Sequence, residues 1–258
     1  MSVNNFSPVW NRDNIKFNHH KNIPNNFRML IVGPSGCGKT FLLLQILLEP
    51  TFLDYDNIII FSPTVSQNEF KLLDYGFSSC LNKEDIIEIF NTQHTFDNGL
   101  SIESICEKIK DKHSRTEKTV NIEMFKNSDK LMDPIKLPKS KKNLIVFDDA
   151  VNLKNQDKMK AYFTRGRHSN CNAIYLSQNY YDLDKNSIRG NSNFYIFFKL
   201  PNKDRDMIYR DLFANSMDKE LFNEECRECW KDKYNYIALN KDDELVFNNI
   251  FKNAIEYE

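Results

Sequence analysis

The octapeptide GPSGCGKT (Gly33, Pro34, Ser35, Gly36, Cys37, Gly38, Lys39, Thr40) constrains this chain more than any other stretch. It satisfies the pattern G-x-x-x-x-G-K-[ST] at every fixed position. An apolar run, residues 27–32, precedes it and a leucine-rich run, residues 41–48, follows it, so the loop joins a buried strand to a helix. Glycine tolerates backbone angles closed to other residues, which lets consecutive N–H groups turn inward around a phosphate. A triphosphate then sits on the helix N-terminus. Lys39 is expected to reach the β and γ phosphates, and the Thr40 hydroxyl to complete the shell of a Mg²⁺ ion, which makes a nucleoside triphosphate with Mg²⁺ the expected ligand pair.

A chain of 258 residues buries a sizeable core as one large α/β domain or a domain with an appendage. The 35 basic and 36 acidic residues nearly cancel, so any surface attracting a polyanion must be local. One segment qualifies. Between positions 108 and 142 there are eleven Lys or Arg against five Asp or Glu, without sustained periodicity. It reads as a basic insertion at about 112–142, either a solvated loop or a phosphate-contacting one. The first 26 residues read as an irregular arm on a domain spanning 27–258. Their lack of an apolar core argues against a secretion signal, and no apolar run reaches membrane-spanning length. Six cysteines in such a chain read as reduced thiols, with Cys226 and Cys229 forming only half of a zinc motif.

Further along, residues 57–61 (NIIIF) read as a second buried strand, ending at Ser62, Pro63 and Thr64. Residues 67–110 read as mostly helical, with 84–90 and 101–109 the clearer amphipathic turns. Residues 143–147 form an apolar strand that ends in Asp148 and Asp149. A carboxylate at the tip of a buried strand, in a chain with a phosphate loop, suits Mg²⁺, and a second suits the attacking water. Asp148 is therefore assigned to metal and Asp149 to water. A helix over 155–164 and a basic turn, RGRH, lead to a strand at 173–176. Its polar end, Ser177 and Gln178, puts an amide where it can sense the γ phosphate or its water. Strand 194–200, helices 204–213 and 221–230, and a β-hairpin built on YNYIAL and ELVF complete the chain.

With these residues in hand, positions 27 to about 247 resemble the HerA/FtsK superfamily of DNA-pumping ATPases. The branch it is most similar to holds the genome-packaging ATPases of poxviruses, other large DNA viruses and virophages. The resemblance rests on GPSGCGKT, on LIVFDDA and on GRHSNCNAIYLSQNYYDLDKNSIRGNSNFYIFF. It implies a homo-oligomeric ring that hydrolyses ATP and drives double-stranded DNA, without sequence preference, into a capsid. A capsid or portal-vertex protein is the implied partner, and the host cytoplasm, viral factory or virion the implied location. Lys39, Thr40, Asp148, Asp149 and Gln178 match the family's motif positions, although many members carry Glu where this chain has Asp149. The resemblance also implies an arginine from a neighbouring subunit, for which Arg167 is the first candidate and Arg165 and Arg189 follow.

Two other readings share the loop. NKDD, residues 240–243, fits the guanine-reading pattern N-K-x-D of a GTPase, but the Gly expected after the acidic strand is missing. A nucleoside or other small-molecule kinase needs an arginine-rich lid, for which the basic insertion is the one candidate. The expected fold is a three-layer α/β/α P-loop NTPase of the RecA-like, ASCE type. Its central sheet is mostly parallel, its C-terminal end is a β-hairpin, and the Gln178 strand lies between the phosphate-loop strand and the Asp148 strand.

Overall fold

A computed structural model describes residues 15–78, 83, 85–88 and 120–249. Eight strands form one sheet: β1 (Arg28–Val32), β2 (Asn57–Phe61), β3 (Asn121–Phe125), β4 (Asn143–Asp148), β5 (Cys171–Ser177), β6 (Phe194–Phe198), β7 (Tyr236–Asn240) and β8 (Leu245–Asn248). Their spatial order is β3-β2-β4-β5-β1-β6-β7-β8. The first six in that order run parallel, and β7 and β8 close the sheet antiparallel. The expected position of β5, between β1 and β4, is the observed one.

The central strands read as uninterrupted apolar runs because both faces of the sheet are covered. Met29, Ile31, Val146, Ile174 and Ile196 pack on one side with α1 (Lys39–Leu48) and α2 (Asn68–Ser78). Leu30, Val32, Phe147, Tyr175 and Phe197 pack on the other with α3 (Gln156–Arg165) and with α5 (Lys219–Cys229). α4 (Asn202–Ile208) passes directly into a π-helical turn, Tyr209–Phe213, where an unbroken helix was expected. No helix among the described residues is long and apolar enough to cross a membrane.

The stretch read as a basic loop is the clearest correction. Residues 112–119 lie outside the described part, but 121–125 form β3, which pairs parallel with β2 from Asn57↔Asn121 to Phe61↔Phe125. β3 is a sheet edge, and its residues are exposed or half-buried, so it lacks the solid apolar run that marks the central strands. The expected helical turn at 101–109 lies outside the described residues, whereas 85–88 are helical.

The hairpin is as expected, and NKDD is its turn. Asn240 is fully buried; its amide donates to Asp243 Oδ2 (2.8 Å) and Asn22 O (3.0 Å), and its Oδ1 accepts from Asp242 N (3.1 Å). A side chain so engaged cannot read a guanine edge. Cys226 and Cys229 are buried on α5 and not in a disulfide. The Cys229 thiol reaches Tyr236 O at 3.3 Å.

Candidate active site

All the strands from β3 to β6 end at one edge of the sheet, and the polar residues that follow them meet there. The loop leaves β1 after Val32, and Gly33 N donates to Ser177 O on β5 at 3.1 Å. Gly36 (φ 72°) and Gly38 (φ 100°) take left-handed angles that other residues reach at a cost. Gly33 is required for a different reason. A Cβ there would lie 2.6 Å from Cys37 Sγ and 2.7 Å from Phe198 Cβ. Lys39 opens α1, and its ammonium spans the loop, donating to Gly33 O (2.6 Å) and Pro34 O (3.0 Å). Thr40 is the next helical residue.

The acidic pair is divided by geometry. Asp148 is the last residue of β4 and is buried; its Oδ2 accepts from Ser62 Oγ at 2.7 Å, and Ser62 Oγ lies 3.0 Å from Thr64 Oγ1. Burial pushes the Asp148 carboxyl above the usual range, and the neighbouring Asp149 charge adds to that. The Ser62 hydrogen bond and the Lys39 charge oppose it. Asp149 turns away through a left-handed angle (φ 47°), its N donating to Leu176 O at 3.1 Å. A non-glycine residue in this region is uncommon, with Asp among the types that tolerate it. The turn brings Asp149 Oδ2 to 3.0 Å from Gln178 Nε2, across the β4–β5 boundary.

The sequence places Ser62 at the ligand-facing end of β2 but does not pair it with Asp148. β2 and β4 are neighbours with Phe61 opposite Phe147, so the next pair is Ser62 and Asp148. A polar residue ending each of two apolar runs is the available signal, and it becomes specific only once the strand order is known.

The arginine candidates sit elsewhere. Arg165, Arg167 and Arg189 all lie near the opposite edge, where the parallel strands begin; Arg167 is on the 3-10 turn Gly166–Ser169 just before β5. Seven residues of β5 separate that edge from Ser177, about 20 Å at the usual strand rise. Within one subunit, Arg167 is therefore not brought to the phosphate loop. Arg165 pairs with Asp133 at 2.9 Å, and Arg189 is buried, paired with Asp211 at 2.9 Å and stacked 4.9 Å from the Tyr180 ring centre. Arg167 is exposed, its backbone O accepting from Asn170 N at 3.4 Å, and its guanidinium makes no hydrogen bond or ion pair among the described residues.

Oxygen donors from Thr40 and Asp148 at the mouth of a glycine loop suit a hard divalent cation beside a phosphate. A parallel sheet with β5 interposed between β1 and β4, a phosphate loop opening α1 and an acidic pair ending β4 define a P-loop NTPase fold of the RecA-like type. The family described as Poxvirus A32 protein matches residues 14–227, and the chain belongs to it. Among solved structures, it is similar to the genome packaging NTPase B204 from Sulfolobus turreted icosahedral virus 2. The complex with AMPPCP is 12% identical, with a TM-score of 0.50, covering 86% of this chain and 96% of that one. The complex with ATP-gammaS is 14% identical, with a TM-score of 0.51 and the same coverage. At such identity the likeness is one of fold. No curated protein matches the chain.

Proposed function

We propose that this protein is a Mg²⁺-dependent ATPase that translocates double-stranded DNA into a viral capsid as a homo-oligomeric ring. Membership of the poxvirus A32 family supports the packaging role, and so does the fold shared with a protein titled a genome packaging NTPase. The observation that carries the hydrolytic part is the convergence of Lys39, Asp148 bonded to Ser62, and Asp149 bonded to Gln178 at one sheet edge.

Lys39 and the loop N–H groups hold the β and γ phosphates, in the position where the ammonium now bridges two loop carbonyls. Thr40 and Asp148 hold Mg²⁺, which supplies charge neutralisation on the phosphate oxygens. Asp149 accepts the proton of the attacking water, and Gln178, whose amide now contacts Asp149 Oδ2, senses the γ phosphate or that water. Negative charge developing on the transferred phosphoryl group is met by Lys39 and by Arg167 of a neighbouring subunit, since Arg167 is remote from the loop of its own chain.

Residues 1–26 are read as an arm and 27–258 as the ATPase unit. Phe17 and Ile23 are buried against that unit, which supports an arm that belongs to the fold. DNA is bound through its phosphates, so its affinity falls with salt and varies little with sequence.

The test combines ATP hydrolysis, with and without long double-stranded DNA, with a mass measurement in a non-hydrolysable ATP analogue. DNA-stimulated turnover and a nucleotide-dependent ring are expected. Phosphate transfer to a nucleoside, indifferent to DNA, would sink the packaging role.

A further inference from the structure

Beside the phosphate loop stands an aromatic side chain that the hydrolytic site does not use. Tyr234 is 54% exposed, the one exposed Phe, Tyr or Trp side chain among the described residues. It lies on the turn between α5 and β7. Because β7 runs antiparallel to β6, with Tyr236 opposite Phe198, this turn sits at the strand-end edge that holds the loop. Its ring lies against the loop itself. A Cβ added at Gly38 would be 3.3 Å from Tyr234 Cδ1. Glycine at position 38 thus serves two needs, the left-handed backbone angle and the close approach of the ring.

The turn is held at both ends. Trp230 is buried and its Nε1 donates to Phe197 O on β6 at 3.0 Å. Tyr236 is buried, its ring 5.5 Å from that of Phe198, and Asn235 N donates to Asp232 O at 3.3 Å. What sets this ring apart is its fixed position against Gly38 of the phosphate loop. Lys233 adds a cation, its Nζ 5.0 Å from the Tyr234 ring centre.

We propose that Tyr234 is the platform on which the base of the bound nucleoside triphosphate stacks. This inference rests on the nucleotide reading above. Every nucleobase offers a π face, and stacking on an aromatic ring is tolerant of base identity. Tyr234 therefore senses that a base is present rather than which base it is, and purines, with the larger face, bind better than pyrimidines. The ring position, next to Gly38 but on a different element from the acidic pair, makes the contact one of binding and orientation. Tyr234 touches no reacting atom.

The test is titration calorimetry of the full chain with Mg²⁺ and either a non-hydrolysable ATP analogue or inorganic tripolyphosphate, for wild type, Tyr234→Ala and Tyr234→Phe. Tyr234→Ala is expected to weaken the ATP analogue about tenfold, to leave tripolyphosphate binding unchanged, and to be rescued by Tyr234→Phe. If Tyr234→Ala binds the analogue as wild type does, or weakens both ligands alike, the platform is overturned. If wild type binds neither ligand, the nucleotide reading itself falls, and the inference with it.

Discussion

The two edges of the parallel sheet are made by the same strands, yet their polar groups are arranged in opposite ways. At the edge where strands end, side chains answer one another across strand boundaries: Ser62 to Asp148, Gln178 to Asp149, Lys39 to its own loop. At the edge where strands begin, three arginines are treated unequally. Arg165 and Arg189 are engaged by Asp133 and Asp211, and Arg167 is left to solvent. The lesson is that a buried or paired cation is part of the scaffold, and that the unpaired one is the group available to a second molecule. A closed ring of identical subunits can set the beginning edge of one chain against the ending edge of the next, so the asymmetry suits a site shared between copies.

The strand-end edge depends most on Lys39. Lys39→Ala is expected to reduce hydrolysis to background, measured as phosphate release, because no other described cation crosses the loop. Turnover near the wild-type level would show that the strand-end edge is not the reacting one. Arg167→Ala is expected to keep nucleotide binding and to lower turnover by on the order of 10³-fold, with Arg165→Ala nearly silent because Asp133 already holds that side chain. Equal losses in both variants would erase the distinction between paired and unpaired arginines.

Smaller effects follow on stability. Arg189→Ala removes the partner of Asp211, 24% exposed, and the stacking on Tyr180. A loss of about 2–3 kcal/mol is expected in urea denaturation, below the range for fully buried pairs because water still reaches the carboxylate. His19, near the same edge, tests the arm. Its Nδ1 accepts from Asp54 N at 3.0 Å, and its Nε2 lies 3.0 Å from the Asn172 amide. Burial lowers its pKa to about 4, with Lys142 and Lys83 pushing the same way and Asp54 opposing. The unfolded chain takes up the proton near the ordinary value of 6.5, before the folded chain does. Stability is therefore full above about pH 6.5 and falls as the pH drops toward 4, by about 1–3 kcal/mol. Denaturation midpoints measured across that window should flatten in His19→Ala. An unchanged slope would detach the arm from the strand-beginning edge.

Much of the fold is legible before any coordinates. β1, β2, β4, β5 and β6 announce themselves as apolar runs because a strand covered on both faces has no polar face to alternate with. β3 escapes because an edge strand half open to water carries a mixed pattern, and its pairing with β2 depends on residues more than sixty positions away. The helix over 204–213 is legible, but its π-helical end is not, since hydrogen-bond register leaves no compositional trace. Asp148, Asp149 and Gln178 are legible as candidates because each is a polar residue at the end of an apolar run. The contact of Ser62 with Asp148 and the approach of Tyr234 to Gly38 are not legible, because each joins segments distant in sequence.

By itself the sequence determined the phosphate loop, since three glycines and Lys39-Thr40 at fixed spacing carry their geometry within eight residues. It also determined which strands are buried, since burial dictates composition locally. Tertiary structure alone decided which strand ends meet, so that Ser62 faces Asp148 across 86 residues of chain. It decided which arginine is left unpaired, and which ring lies on Gly38. These are contacts between segments brought together by strand order and crossover connections. Local periodicity records only the burial of each segment, and holds no information on its neighbour.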